Sequence, residues 1–370
     1  MRTNYEVVVI GGGIIGCSIA YYLAEAQMDV AVFDGGQIGN KTTKAAAGML
    51  GAHSESDGDF SLFFPFARSS QAEYIRLKDE LYELSGMDIG YRTGGILKLA
   101  FSERDKSNLD PLVKQPTVDW LDYETVKKMQ PEISDTVIGA AYIADDVNVI
   151  PTSTCLAFAK SAQMLGASIF ENCPVYDIKK NGNEYTVKTD NGEVRAKHIV
   201  LATGVYSNSL FQNLGISEKL KPVKGESIIV HHDKPFLEHT LFYEKSYIVP
   251  RNNGKVVIGA TMIEDDWSDS ISLQSVEVLL KHAKTMLPSS INWKIDSFTS
   301  GLRPTTFDGH PFIGRHPEDE QIFIACGHFR NGILLAPATG KMIRNLILKQ
   351  EVNKEWIDAF RINRQEKVMI

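Results

Sequence analysis

The glycine-rich turn near the N-terminus constrains the fold of this chain more than any other segment does. An apolar, β-branched run over residues 5–10 precedes three glycines, Gly11, Gly13 and Gly16. A helix-like run follows them, and a second apolar run ends at Asp34. This order predicts a strand, a helix and a second strand, with the glycines in the first turn.

The spacing of these glycines matches the fingerprint of dinucleotide-binding folds. In such folds the first glycine makes a tight turn, the second lets the backbone approach a pyrophosphate, and the third allows close helix packing. The positive end of the helix dipole then faces the phosphates. Asp34 stands where a carboxylate would accept hydrogen bonds from a ribose. We therefore predict a dinucleotide site here and not merely a glycine-rich turn.

Composition argues against several other classes of protein. The chain has 370 residues, 43% hydrophobic and 23% charged, which is typical of a globular chain with about two to three domains. Its 46 acidic and 39 basic side chains give a formal charge of −7. Because the sequence also contains no basic run, we expect neither nucleic acid nor an anionic membrane as a partner.

The cysteines and one apolar stretch complete this general picture. The four cysteines form no CxxC pair, so we expect reduced, buried thiols and no metal site; they are Cys17, Cys155, Cys173 and Cys326. Residues 7–24 are uncharged and long enough to resemble a membrane span, but three consecutive glycines would weaken a spanning helix. We predict a cytoplasmic protein without a membrane segment.

The rest of the chain alternates between two kinds of structure. Residues 151–204 are typical of a helix followed by a β-meander and a buried strand. Residues 222–230, 241–249 and 255–260 alternate like the strands of an antiparallel sheet. The C-terminal third returns to short strands and a helix over residues 337–349. This pattern predicts two interleaved domains.

Several ordered motifs resemble those of one known family. They are the N-terminal VVIGGGIIG, then TTKAAAGML from Thr42, PVKGE from Pro222, YIVPR from Tyr247, GLRP from Gly301 and HFRNGILLAP from His328. Together they resemble the flavin-dependent D-amino-acid oxidase superfamily. Within it, the chain is similar to the bacterial glycine-oxidising branch associated with thiamine biosynthesis.

The resemblance implies an α/β fold, α+β overall. A Rossmann-like FAD-binding domain would be interleaved with a substrate domain whose antiparallel sheet covers the flavin ring. We assign the FAD-binding domain to residues 1–85, 145–218 and 300–370. The substrate-binding domain then takes residues 86–144 and 219–299.

The resemblance also implies a noncovalent FAD. The small side chains at residues 45–48 would let a flat ring lie against the backbone, although a helix-packing patch would look the same. Relatives usually carry glutamate where this chain has the shorter Asp34. The implied FAD contacts are Gly11, Gly13, Ile14, Ile15, Gly16, Asp34, Gly35, Thr42, Thr43, Ala47, Gly48, Met49, Val175, His328, Phe329, Arg330, Asn331, Gly332, Ile333 and Leu334.

The expected substrate is an amino acid held by its carboxylate. A guanidinium group offers a carboxylate two parallel, charge-assisted hydrogen bonds. By resemblance, Arg303 takes this role, Tyr247 adds a hydroxyl, and Arg330 lies over the substrate and the flavin. The alternatives are a structural salt bridge for Arg303, phosphate or domain-interface pairing for Arg330, and an ordinary core position for Tyr247. Met49 and Met262 are expected to form apolar walls.

Lys245 is a departure from the residue expected in relatives. In a single strand, side chains two residues apart point to the same face, so Lys245 would share the pocket face of Tyr247. There it would act as a second cation and favour N-substituted glycines that carry an extra anion. The alternative is a solvated lysine at a strand end.

The implied reaction is the oxidation of glycine by O2, and also of sarcosine, N-substituted glycines and small D-amino acids. The products are glyoxylate or another 2-oxo acid, ammonia or an amine, and hydrogen peroxide. Hydride transfer to flavin N5 from a neutral amine needs no general base, so we assign none and expect structural roles for His53, His316 and His328. The resemblance further implies a homotetramer that hands the glycine imine to thiazole-forming enzymes.

Two related activities remain as alternatives. A sarcosine or N-methyl-amine oxidase of the same superfamily could attach its flavin covalently through a cysteine, for which Cys326 is the candidate. A quinone-linked D-amino-acid dehydrogenase would pass electrons to a membrane, and the sequence offers no basic amphipathic segment for that purpose.

Overall fold

The computed structural model describes residues 2–56, 60–231, 237–252 and 254–364. Ten α-helices lie within these ranges. They are α1 (Ile14–Glu25), α2 (Thr42–Ala45), α3 (Phe63–Ser85), α4 (Glu103–Val113), α5 (Tyr123–Met129), α6 (Pro151–Met164), α7 (Asn208–Asn213), α8 (Leu273–Met286), α9 (Gly332–Ile347) and α10 (Lys354–Phe360).

Nineteen strands lie within the same ranges. They are β1 (Asn4–Ile10), β2 (Val30–Phe33), β3 (Met49–Leu50), β4 (Ile96–Ala100), β5 (Val118–Asp122), β6 (Gly139–Ile143), β7 (Val147–Asn148), β8 (Ser168–Phe170), β9 (Val175–Asn181), β10 (Glu184–Thr189), β11 (Gly192–Leu201), β12 (Lys221–His231), β13 (Thr240–Tyr243), β14 (Ser246–Pro250), β15 (Lys255–Gly259), β16 (Ile263–Glu264), β17 (Lys294–Thr305), β18 (Phe312–Arg315) and β19 (Ile322–Cys326).

The first sheet carries the glycine-rich turn. Its strand order is β18-β19-β11-β1-β2-β8, with β10 and β9 attached beside β11. β1 pairs in parallel with β11 and β2, which confirms the predicted βαβ unit. Val7 and Val9 pack into a core with α1, α3, α6 and α9, while Val8 and Ile10 pack into a core on the opposite face. Burial on both faces explains why residues 7–10 of β1 are all apolar.

The second sheet is mostly antiparallel. Its order is β16-β12-β15-β14-β13-β4-β6-β5, with β17 pairing along β12, and β4 and β13 form a parallel pair. One face packs on α8 through Leu279 and Ala283. On the other face, Tyr247 and Val249 pack with Ala47 of the N-terminal segment. The second sheet therefore faces the segment that contains Ala47, which follows the glycine-rich turn in the chain.

The two sheets together confirm the predicted α/β fold with a second, antiparallel component. Strands of the first sheet come from three separate stretches of chain, and those of the second from the stretches between them. β17 begins in a stretch predicted for the substrate domain and crosses the predicted boundary between residues 299 and 300. The division into domains stays a prediction.

The single strand predicted over residues 241–249 is wrong. The segment is a hairpin, in which Tyr243 pairs with Ser246 and a two-residue turn separates β13 from β14. Glu244 has a φ of 52°, a left-handed value that suits such a turn and ends the strand alternation. Lys245 is the second turn residue and is exposed. The alternation that was expected to align it with Tyr247 is therefore absent.

Helix α9 begins at Gly332, five residues before the predicted start at Pro337. Pro337 lies inside the helix, where it cannot donate a hydrogen bond to the Ile333 carbonyl. The Tyr74 hydroxyl donates to that carbonyl instead, at 2.5 Å, and Ser70 Oγ accepts from the Ala338 amide. Helix α3 thus provides partners for the backbone groups on either side of the internal proline. Helix α9 starts at Gly332, directly after residues 328–331.

Among the described residues, no helix is both long and apolar enough to span a membrane.

Candidate active site

The glycine-rich turn is held by close backbone contacts. Gly11 has a φ of 105°, a region that favours glycine, and it lies against the backbone of Ala202. A Cβ at Gly16 would overlap the Gly11 carbonyl oxygen. At Gly13, by contrast, the nearest atom to an added Cβ would be Thr43 Oγ1, at 3.6 Å. A Cβ at Gly13 would therefore make only an ordinary contact, whereas Gly11 and Gly16 allow the turn and helix to pack.

An outer cavity of about 480 Å³ extends from this turn. Many of the predicted cofactor contacts line it: Gly11, Gly13, Ile14, Ile15, Asp34, Gly35, Thr42, Thr43, Val175, His328, Phe329 and Gly332. The Asp34 carboxylate accepts from the Gly12 amide at 2.6 Å and from the Gly36 amide at 2.8 Å. The shorter acid thus braces the turn, and its remaining lone pairs can accept from a ribose.

The two threonines at the mouth of α2 differ in what they can offer a phosphate. The Thr42 hydroxyl donates its hydrogen to the Leu302 carbonyl at 2.7 Å, so it has no hydrogen left for a phosphate oxygen. Thr43 Oγ1 instead accepts from the Ile14 amide at 3.1 Å and keeps its hydrogen. Of these two hydroxyls, only that of Thr43 can therefore donate to a phosphate oxygen.

An inner cavity of about 100 Å³ continues toward the second sheet. Predicted residues line it: Ile14, Thr42, Thr43, Ala47, Gly48, Met49, Tyr247, Arg303, Phe329, Arg330, Gly332 and Ile333. Its N-terminal wall is held by Arg251, which donates to the carbonyl oxygens of Ala47 and Val149. Burial lowers the pKa of the Arg251 guanidinium to about 10, so it remains charged near neutral pH.

The start of α9 borders both cavities. Gly332 lines each of them, and Ile333 lines the inner one. The first backbone bond of the helix is from Leu335 to Asn331, so the amides that precede Leu335 point outward from the helix end. Asn331 Oδ1 is buried without a hydrogen-bond partner among the described residues. The positive end of α9 therefore faces the cavity.

Arg303 projects from β17 into the inner cavity. Its guanidinium lies over Gly225 of β12, where any Cβ would overlap it, and Nη1 donates to the Thr261 carbonyl at 3.0 Å. Burial lowers the pKa of Arg303, the nearby Tyr247 opposes that effect, and Arg330 adds to it. The site thus holds a largely desolvated guanidinium with hydrogen-bonding capacity to spare.

Tyr247 closes another side of the inner cavity. It lies on β14, is 8% exposed, and its ring centroid is 6.1 Å from that of Phe242. A Cβ at Gly259 of β15 would meet the Tyr247 ring at 2.5 Å. Glycine at this position therefore provides the space in which the tyrosine reaches the cavity beside Arg303.

Arg330 forms an ion pair inside the cavity with a residue that sequence reasoning missed. Its guanidinium lies 2.5 Å from a Glu55 carboxylate oxygen, and the Glu55 side chain is 7% exposed. Glu55 follows a short turn that is held from behind by the buried Asp146, which accepts from the amides of His53 and Ser54. No motif surrounds Glu55, so only the fold reveals that it lines the cavity.

The three histidines for which structural roles were expected are hydrogen-bonded within the protein. His53 lies between Asp146 and Thr117, and His316 contacts the Leu214 carbonyl. Burial lowers the pKa of His328 to about 3, so its ring is neutral near neutral pH. These placements agree with the expected structural roles.

Comparison with known proteins identifies the family. A family model described as FAD dependent oxidoreductase matches residues 6–346. The chain belongs to this family of FAD-dependent oxidoreductases. The glycine oxidase of Bacillus subtilis (strain 168) is 50% identical over 370 residues, the full length of both chains. The crystal structure of glycine oxidase from Geobacillus kaustophilus gives a TM-score of 0.94 at 34% identity, covering 99% of this chain and 100% of that one.

A further relative of this FAD-dependent oxidoreductase is a fused protein. The bifunctional protein ThiO/ThiG of a Synechocystis species is 35% identical over 361 residues, which is 95% of this chain and 53% of that protein. The comparisons confirm the resemblance to the glycine oxidases of the D-amino-acid oxidase superfamily and the dependence on FAD.

The described residues fit FAD well. The outer cavity places Asp34, the exposed face of Gly13 and the Thr43 hydroxyl along one path, as a nucleotide and its pyrophosphate require. The inner cavity offers a surface of small side chains at residues 45–48, beside the first turn of α9. A flat ring can therefore lie between the N-terminal segment and the second sheet of this FAD-dependent oxidoreductase.

Some predicted site residues lie away from both cavities. Met262 is 38% exposed, and Lys245 is exposed in the β13–β14 turn; neither lines the cavities described above. Leu334 of α9 is buried in the hydrophobic core, and Gly16 packs against Gly11. The cavity lining therefore does not support the predicted pocket roles of Met262 and Lys245, and for Lys245 the strand alternation behind the prediction is interrupted by the β13–β14 turn.

Cys326 lines the outer cavity as a buried thiol. Burial raises its pKa to about 12, so the thiol stays protonated near neutral pH. A protonated thiol is a poor nucleophile, which argues against covalent flavin attachment at this position.

Substitution of Gly13 tests the placement of the pyrophosphate. In Gly13→Leu, the Cβ has room beside Thr43 Oγ1 and the side chain should occupy the outer cavity that Gly13 lines, so we expect a folded protein with little bound FAD. The ratio of visible flavin absorbance to protein absorbance measures occupancy, and circular dichroism checks folding. Full flavin occupancy in the folded variant would show that the pyrophosphate lies elsewhere.

Proposed function

We propose that this chain oxidises glycine with O2 to glyoxylate, ammonia and hydrogen peroxide. The observation that carries this proposal is the buried Arg303 guanidinium beside Tyr247, at the end of the cavity that continues from the FAD site. The 50% identity to the Bacillus subtilis glycine oxidase supports it. When bound, FAD supplies the acceptor for the hydride and passes the electrons to O2.

Arg303 holds the substrate carboxylate. Its guanidinium uses Nη1 to contact Thr261, and the rest of the fork can donate to a carboxylate in a desolvated setting. Tyr247 contributes its hydroxyl to the same group. Two anchors on one carboxylate fix the direction of the Cα–H bonds, which is the main contribution that orientation makes to a reaction of this kind.

The charges in the inner cavity match the reactive form of glycine. Arg303 and Arg330 bring two positive charges, and Glu55 brings one negative charge. A glycine molecule with a neutral amine carries only its carboxylate charge. Its binding therefore leaves the cavity electrically balanced, which avoids burying an uncompensated charge.

No described histidine acts as a general base in this proposal. His328 is kept neutral by burial and faces Thr339, 3.0 Å away. His53 is enclosed by Asp146 and Thr117. The amine enters in its neutral form, and the start of α9 stabilises the negative charge that the reaction places near the ring.

Relatives also support a proposal for where the product of the reaction goes. The ThiO/ThiG fusion of Synechocystis supports a role in which the imine of glycine passes to a thiazole-forming enzyme. We place the enzyme in the cytoplasm as a homotetramer that binds FAD noncovalently. Sarcosine, other N-substituted glycines and small D-amino acids are its further substrates, because the same carboxylate contacts serve them all.

Removal of the carboxylate anchor tests the proposal. Arg303→Ala removes an ion pair whose partner is desolvated, which costs on the order of 2–5 kcal/mol, so kcat/KM for glycine should fall by at least about 30-fold. FAD content should stay unchanged. Steady-state kinetics with glycine checks this result, and near-normal values would show that another cation, such as Arg330, holds the carboxylate.

Neutralisation of Glu55 tests the charge balance. Glu55→Gln adds one net positive charge to the cavity, so the ratio of kcat/KM for iminodiacetate to that for glycine should rise by roughly two- to tenfold. The exposed Lys245 provides the control, since Lys245→Ala should leave the ratio unchanged. Equal effects of Glu55→Gln on both substrates would contradict the role of Glu55 in selecting substrate charge.

A further inference from the structure

Thr261 pairs with Glu226 in an unusual way. The register of β12 with β16 places Lys224 opposite Ile263, which extends to Glu226 opposite Thr261. The Thr261 amide donates to the Glu226 carbonyl at 3.2 Å, as in a hydrogen-bonded antiparallel pair. The Glu226 amide, however, donates to the Thr261 hydroxyl at 2.9 Å. The hydroxyl thus takes the place that a backbone carbonyl would normally occupy.

Because the hydroxyl accepts from the Glu226 amide, the Thr261 carbonyl is left to accept from another donor. The carbonyl accepts from Arg303 Nη1 at 3.0 Å. Without the hydroxyl, the Glu226 amide would need a new acceptor, and the nearest regular one is this same carbonyl. The Thr261 carbonyl would then have to accept from both the Glu226 amide and Arg303 Nη1, which would turn the guanidinium from its present direction.

We infer that the Thr261 hydroxyl is a positioning group for Arg303, and that it sets the direction of the guanidinium toward the substrate carboxylate. The inference rests on the proposed role of Arg303 as the carboxylate anchor. Thr261 does not contact the substrate itself, so its effect passes through Arg303.

The strand that Thr261 contacts, β12, is anchored by ion pairs. The Glu226 side chain is fully buried and pairs with Lys224 at 2.8 Å, and Lys224 in turn pairs with Asp266 at 3.0 Å. On the cavity side, Gly225 lets the guanidinium lie directly on the β12 backbone. Arg303 therefore lies between the β12 backbone and the Thr261 carbonyl, and these two contacts limit the directions in which its guanidinium can point.

Three single variants measure the role of the hydroxyl. Thr261→Val removes the hydroxyl at nearly constant volume, Thr261→Ser retains it, and Thr299→Val is the control. Thr299 lies on β17 with Arg303, and its buried hydroxyl has no hydrogen-bond partner in the described chain. The probe is acetate, whose Kd for the FAD-loaded enzyme is read from the change in flavin absorbance.

In Thr261→Val we expect the Kd of acetate and the KM of glycine to rise about tenfold, as the loss of one buried hydrogen bond implies. Thr261→Ser should restore values within about twofold, and Thr299→Val should change neither. FAD content and thermal midpoint should remain near those of the parent enzyme. If Thr261→Val loses FAD, Thr261→Ala removes the same hydroxyl without the added methyl group and replaces it in the series. Unchanged acetate affinity in a folded, FAD-loaded variant overturns the inference.

A double-mutant cycle with Arg303→Lys separates this inference from the proposed function. The lysine ammonium cannot reproduce the fork, so Thr261→Val should cost clearly less in that background than in the parent. An equal cost in both backgrounds overturns the positioning role while leaving Arg303 as the anchor. If Arg303→Lys leaves acetate and glycine binding unchanged, the anchor assignment itself is wrong, and the inference fails with it.

Discussion

The pairing of β12 with β17 is the interaction on which the active site depends. It places Gly225 directly opposite Gly301, so two residues without side chains face each other across the ladder. A Cβ at Gly225 would overlap the Arg303 guanidinium, and one at Gly301 would meet the Ala45 side chain at 2.5 Å. This bare stretch of backbone lets Arg303 reach the cavity and lets the small-residue segment of the FAD site approach the second sheet.

Electrostatics adds a second constraint to this geometry. A desolvated arginine is costly unless an anion or hydrogen-bond acceptors compensate it. Arg251 is compensated by two backbone carbonyls and Arg330 by Glu55, whereas Arg303 contacts one carbonyl and retains free donors. The cavity is therefore prepared for one more negative charge, and a substrate carboxylate provides it.

Sequence reasoning succeeded where a motif reports on local backbone geometry. The glycine spacing predicted the βαβ unit because strand, turn and helix are contiguous. The family resemblance of the GLRP motif pointed to Arg303, which lines the inner cavity, and its role stays a prediction. Sequence reasoning failed where contacts depend on distant segments. Glu55 lies outside every motif, and Lys245 lies in a two-residue turn that the strand pattern did not reveal. Helix α9 continues through Pro337, where Tyr74 and Ser70 of α3 provide hydrogen-bond partners. The proposed role of the Thr261 hydroxyl could be inferred only from the register of β12 with β16 and β17.

Anaerobic mixing of the FAD-loaded enzyme with glycine tests the central claim most directly. If the inner cavity binds glycine through Arg303 and orients its Cα–H bond toward the ring, the visible flavin absorbance should bleach in a single turnover. Glycine deuterated at Cα should bleach it more slowly, because that bond breaks in the reductive step. A flavin that stays oxidised in saturating glycine, or bleaching at the same rate with both isotopes, would contradict the account.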